Sequence, residues 1–166
     1  EMVQMSSFKF KSTPIENALS LTSTEIYEDV FQADVLIDVP IAKHHGGAVL
    51  TLAMKNLMGL IANREQIHWD LSKRIPDLAS KIRPTLTVID AVRILTANGP
   101  TGGNLADVVK LDTVIASTDF VAADSYATTL FGKQPNDLGY IQTAAEIGLG
   151  RSDLSALNIK ELTVGA

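Results

Sequence analysis

Blocks of apolar and polar positions alternate along this chain in a way that predicts strands and helices in turn. Ser6–Lys11 alternates apolar with polar and reads as a short half-exposed strand. Asn17–Leu21 fits strand or loop equally. Thr24 is placed to N-cap a short helix through Gln32, with Glu25 and Glu28 near its positive end. Ala33–Pro40 predicts a buried strand closed by proline. Ala48–Ala62, apolar on nearly all sides, predicts a central helix. Ile67, Leu71, Ile75, Leu78 and Ile82 recur at steps of four and three, the spacing of an amphipathic helix. Pro76 is expected to kink or divide it.

Pro84–Asp90 and Leu111–Ser117 read as two further strands, separated by the strongest turn signal in the chain, Asn98–Asn104. Thr118 or Asp119 is expected to cap a helix through Leu130, with Gly132 just past its end. Tyr140–Ile147 predicts a small helix ended by Gly148 or Gly150, and Leu157–Val164 a closing strand. Strands alternating with helices imply an α/β fold: a single domain over residues 1–166 with a mixed, mostly parallel sheet and helices packed on it. The chain opens at Glu1, and it is expected to be a piece of a longer protein.

Asp38–Asp70 is the stretch around which the rest is arranged. It holds all three histidines, His44, His45 and His68, and the single tryptophan, Trp69. A strand running through a Gly46-Gly47 turn into a helix would present backbone N–H groups to an anion, with Lys43 adding a full positive charge. Lys55 and Asn56 interrupt an otherwise apolar helix, where a polar group needs a partner. Asp124 lies among Val121, Ala122, Ala123 and Ala127, small neighbours that let another element approach, and the expectation is that Lys55 pairs with it.

If the strands are parallel, the loops after Pro40, Asp90 and Ser117 gather beyond one end of the sheet, where ligands bind in open α/β folds. They bring together Lys43, His44, His45, Gly46 and Gly47; the loop containing Asn98, Gly99 and Gly102; and Ser117-Thr118-Asp119. Lys55, His68 and Asp124 are the candidate catalytic groups. His44 and His68 are candidate ligands for a divalent metal of the Zn, Ni, Cu or Fe kind, because imidazole suits such ions. The alternative is that these histidines cap turns or face solvent.

Composition narrows the choice. A net charge of −5 without a basic stripe argues against nucleic acid as a partner. No apolar run approaches the roughly 20 residues of a membrane-spanning helix. The chain has no cysteine, so no iron–sulfur cluster is housed within it. Nothing reads as a compartment signal, and the cytoplasm is the default expectation. GxSxG, HExxH, P-loop and GxGxxG patterns are absent.

The segments DVLIDVPIAKHH, TLAMKNLMGLI, VIDAVRILTANGPTGG and DFVAADSYATTLFG, together with His68, resemble the family known as domain of unknown function 362, over about Ala33 to Ile159. The resemblance points to Lys43, His44, Lys55, Asn56, Gly59, His68, Asp90, Gly99, Pro100 and Asp124. Family members are often joined to ferredoxin-type iron–sulfur domains, which implies a redox setting and a ferredoxin-type domain or protein as partner. A fainter similarity is to the nickel-pincer lactate racemase group, in the order His45, Gly46-Gly47, Lys55, His68. The resulting expectation is a redox-associated enzyme module that binds a small anionic substrate or cofactor. Its alternatives are a non-catalytic docking module for an iron–sulfur partner and a racemase-like metal-cofactor enzyme using Lys55.

Overall fold

The computed structural model describes residues 4–101 and 103–165. After a 3-10 turn at Ser7–Lys9, strand β1 (Phe10–Pro14) pairs antiparallel with β2 (Ser23–Tyr27) as a separate two-stranded ribbon. Two expectations change here. The first strand begins later than its alternation suggests, and the helix expected from Thr24 is confined to one turn, α1 (Asp29–Gln32). Thr24, Ile26 and Tyr27 bury β-branched and aromatic side chains on the ribbon, where the pleated surface suits them.

Two-residue β3 (Ile37–Asp38) is all that forms of the strand expected over Ala33–Pro40, and only one side of it is buried: Val35, Ile37 and Val39 are exposed, whereas Asp38 and Pro40 are covered. The chain continues into β4 (Ile41–His45), turns through Gly46-Gly47 and returns as β5 (Val49–Thr51), antiparallel to β4 with Lys43 opposite Thr51 and His45 opposite Val49. The long helix expected over Ala48–Ala62 therefore does not exist. In its place stand β5, a single turn α2 (Ala53–Asn56) and a 3-10 turn at Leu57–Leu60. Leu50, Leu52, Ala53, Met54 and Leu57 are all buried, so the uniform apolarity records burial rather than periodicity.

Helix α3 (Leu71–Lys81) takes its N-cap bond from Asp70 to the N–H of Lys73, and it runs unbroken through Pro76. Its Ile75, Leu78 and Ala79 are buried, with Ile67 and Ile82 on either side. The Asp77 carboxylate accepts the N–H groups of Leu19, Ser20 and Leu21 at 2.7–2.8 Å, tying the irregular segment after β1 to this helix.

The centre of the sheet is β6 (Leu86–Leu95). One edge pairs in parallel with β3 and then β4; the other pairs antiparallel along its length with β7 (Val108–Ser117). Helix α4 (Phe120–Thr129), capped by Asp119, and α5 (Gly139–Glu146) complete an α/β arrangement of helices on a mixed sheet. Gly132 and Gly148, at φ +67° and +76°, adopt the left-handed backbone expected past a helix end.

Burial along β6 alternates: Thr87, Ile89 and Ala91 are buried, whereas Leu86, Val88 and Asp90 are only partly covered. Their direct neighbours Ile37, Ile41, Val114 and Ala116 are exposed, so this second face of the sheet stands open. Leu157–Val164 forms no strand; it lies as an exposed extended tail.

The topology separates the three loops expected to meet. Asp90 lies within β6, which continues to Leu95. Because β7 is antiparallel, Ser117 sits opposite Thr87, at the far end of β6 from the histidine turn. The His44–Gly47 turn and the Asn98–Asn104 loop do converge, since Lys43 pairs with Leu95 and the Gly99 N–H donates to His44 Nδ1 at 3.1 Å.

Candidate functional site

The site starts from the β4–β5 hairpin. Successive strand residues point to opposite faces, so Lys43 and His45 share one face with Thr51, while His44 joins Leu50 on the other. A single turn further on, α2 carries Lys55. This lysine is only 8% exposed, and its Nζ donates to the thioether Sδ of Met58 at 3.6 Å. Among the described residues no carboxylate pairs with it. Burial pushes its ammonium down to about 8, and the charge of Lys43 pushes in the same direction.

His45, also buried, accepts two backbone N–H groups at Nδ1, from Gly47 at 3.1 Å and Ala48 at 3.0 Å. A backbone N–H can only donate, so Nδ1 is unprotonated and the neutral ring carries its proton on Nε2. Burial, followed by the positive charges of Lys55 and His68, lowers this imidazole to about 4. The ring of His68 stacks on it, 5.8 Å between centroids, and His68 Nδ1 lies 3.1 Å from the Arg64 carbonyl oxygen. Thr51 is buried and its hydroxyl has no protein partner. Lys43, Thr51, Lys55 and His45 thus form a group rich in hydrogen-bond donors, and among the described residues no carboxylate pairs with its lysines.

Lys55 and Asp124 do not form the expected pair. Asp124, fully buried, accepts the backbone N–H groups of Ala53 at 2.7 Å and Met54 at 3.1 Å. These N–H groups open α2, so an internal carboxylate fills this terminus, while the Gly47 and Ala48 N–H groups of the turn expected to receive an external anion go to His45 Nδ1. Burial raises the Asp124 carboxyl to about 8 against the pull of those two bonds, and Asp38 adds to the rise. Asn56 donates through Nδ2 to Asp38 Oδ1 at 2.7 Å, whereas Asp38 Oδ2 and the Thr87 hydroxyl beside it are buried without a partner. Burial lifts Asp38 to about 6, opposed by the Asn56 bond.

His44 and His68 are not brought together. His44 accepts from Gly99 and lines a cavity of about 210 Å³ with Leu50, Ile94, Phe131 and Lys133, while His68 lies over His45. Asn98 donates to the Asp107 carboxylate at 2.9 Å, and Gly102 lies outside the described residues. Asp90 accepts the Val92 N–H, and Gly59 has open space around its Cα. A larger cleft, about 690 Å³, runs between β7, α4 and the tail, away from Lys55.

The model of the family described as Domain of unknown function (DUF362) matches residues 1–129, which contain every group of this site. The chain belongs to this family. The DUF362 chain is also 24% identical over 139 residues to the thylakoid-associated protein sll1697 of Synechocystis sp.. That alignment covers 78% of this chain and 42% of the relative, so the DUF362 chain spans less than half of the relative's length. No solved structure matches it. No helix among the described residues of this DUF362 chain is long and apolar enough to cross a membrane.

Sequence reasoning singled out Lys55 as a cation within an apolar stretch, Lys43 for its charge at the glycine turn and the histidines for their ligand chemistry. It missed Asp77, whose role lies in the N–H groups of a distant loop, and Tyr140, whose buried hydroxyl donates to the Leu50 carbonyl at 3.3 Å.

Proposed function

We propose that this chain binds a small anionic molecule, a carboxylate or a phosphate, at Lys55, and that Lys55 exchanges a proton with it. The observation that carries this reading is the Lys55 ammonium, buried against a thioether with no ion pair. An uncompensated buried charge costs several kcal/mol, and its neighbours Lys43, Thr51 and His45 Nε2–H all donate. A negative ligand would compensate the lysine and give each of these donors an acceptor. Enzymatic use is favoured over simple docking, because a docking surface needs its lysine in water, whereas this amine is buried and held where it changes protonation state near neutral pH. Any electron transfer in such a reaction needs an outside carrier, such as a ferredoxin-type partner, since the chain has no cysteine to hold a cluster.

The test is an NMR titration with acetate and with inorganic phosphate, reading the Lys55 Nζ signal and the Gly47 and Ala48 amides. Saturable shifts in the wild type that vanish in Lys55→Met support the site. Absence of shifts, or shifts unchanged in Lys55→Met, overturns it.

A further inference from the structure

We propose that Lys55 condenses with a carbonyl group on its anionic ligand, so that the ligand class is a small aldehyde or keto acid, bound as an imine. The proposal rests on the anion-site reading above and assigns a chemistry to that same amine.

Three features of the geometry point to it. Lys55 Nζ is held by a sulfur acceptor, too weak to fix an ammonium, so the amine can shed a proton and keep its surroundings. It lies in a water-poor setting, with the residue 92% covered, and an imine survives hydrolysis best where water is scarce. Two donors belong to the same hairpin: Thr51, opposite Lys43, has a hydroxyl without a partner among the described residues, and His45, near enough to feel the Lys55 charge, has its proton fixed on Nε2, and both suit the oxygens of a keto acid. A lowered lysine pKa, produced here by burial and a second cation, is the standard means of making such an amine nucleophilic.

The step balances without an oxidant or reductant. The Nζ lone pair forms a bond to the carbonyl carbon, and the C=O π pair moves to oxygen, which takes up a proton as nitrogen gives one up. The resulting hydroxyl then takes a second proton and leaves as water while the nitrogen lone pair closes the C=N bond, and the iminium nitrogen returns that proton by losing its remaining N–H. Amine and carbonyl yield imine and one water.

The experiment uses glyoxylate, which carries an aldehyde and a carboxylate, with sodium cyanoborohydride to reduce the C=N bond to a stable secondary amine. Propanal serves as a carbonyl without the anion, and acetate as an anion without the carbonyl. Peptide mapping should place the added mass, that of glyoxylate less one oxygen, on Lys55. At pH 7.5 Lys55 should react at least about ten-fold faster than the exposed Lys11 and Lys160, since burial and the charge of Lys43 lower its ammonium to about 8. Propanal should label it more slowly, acetate should protect it, and Lys55→Arg should lose the fast site. Labelling of Lys55 no faster than that of Lys11 and Lys160 overturns the imine. If acetate still shifts the Lys55 signal in that case, the anion site stands and only the carbonyl chemistry falls; if acetate has no effect either, both fall.

Discussion

The carboxylate of Asp124 lies 2.7 Å from the backbone nitrogen of Ala53, joining the middle of α4 to the first turn of α2. A one-turn helix does not sustain itself in water, so α2, and with it Lys55, depends on outside contacts such as this one. Asp124→Ala leaves two buried N–H groups unmet and should cost about 3 kcal/mol. Asp124→Asn keeps one acceptor and should cost about half of that. Urea denaturation followed by far-UV circular dichroism measures both; equal, negligible losses would show that Asp124 does not hold α2.

Lys55→Met should stabilise the fold. Lys55 releases its proton near pH 8 in the folded chain and near 10.5 when unfolded. Between these values the unfolded chain binds more protons, so wild-type stability rises with pH through that window. Methionine removes the buried ammonium and should add about 2 kcal/mol at pH 7. The gain should shrink to nothing by pH 10.5. A loss of stability at pH 7 would mean that the ammonium has a counter-charge in solution.

Asp38 and His45 oppose each other in acid. His45, lowered to about 4, withdraws stability as pH falls from 6.5 to 4, because only the unfolded imidazole takes up a proton there. Asp38, raised to about 6, has its stabilising contribution in full below 3.8 and loses it as pH rises through 6. Asp124, raised to about 8, acts in the same sense as Asp38 throughout this range, so wild-type stability should fall as pH rises from 4 to 6. Asp38→Asn should flatten this slope, leaving Asp124 and His45 opposed, and gain about 1–2 kcal/mol above pH 7. His45→Asn, which keeps an acceptor for the Gly47 and Ala48 N–H groups, should steepen the slope, because both raised carboxyls are then unopposed. Parallel denaturation curves for all three proteins across this range would refute the assignment.

Two glycines of the converging loops should respond differently. A Cβ on Gly99 would lie 2.2 Å from the His44 carbonyl oxygen and 2.9 Å from Leu95, so Gly99→Ala should destabilise by at least about 2 kcal/mol and shift the His44 ring signals. Gly46 faces open space, and Gly46→Ala should be silent in stability and in acetate binding. An effect of Gly46→Ala on binding would restore the glycine turn as an anion cradle.

Helix α3 was legible from amphipathic spacing alone, and α4 from the small apolar residues behind its Asp119 cap. The stretch Ala48–Ala62 was not, because a run buried on all sides has no period to read, and a hairpin followed by one helical turn is as apolar as a helix. The direction of β7 was equally silent in the chain. It rests on long-range pairing, and it removed Ser117–Asp119 from the site. Lys55 was found from its chemistry alone, since a cation amid Leu, Ala and Met is conspicuous. The partner of Asp124 was misjudged because backbone N–H groups, which every residue carries, outcompeted the one side chain that looked complementary.

Trp69, the single tryptophan, is 73% exposed beneath the Arg74 guanidinium and directly follows His68. Its emission is therefore already that of a hydrated indole in the native state, and unfolding should move the wavelength very little. Intensity is the useful channel, because Trp69 directly follows His68 and the His68 ring lies on His45. The chain thus carries a built-in optical probe that ignores the core and reports on the rim of the lysine site, so ligand titrations can be followed by fluorescence intensity with no added label.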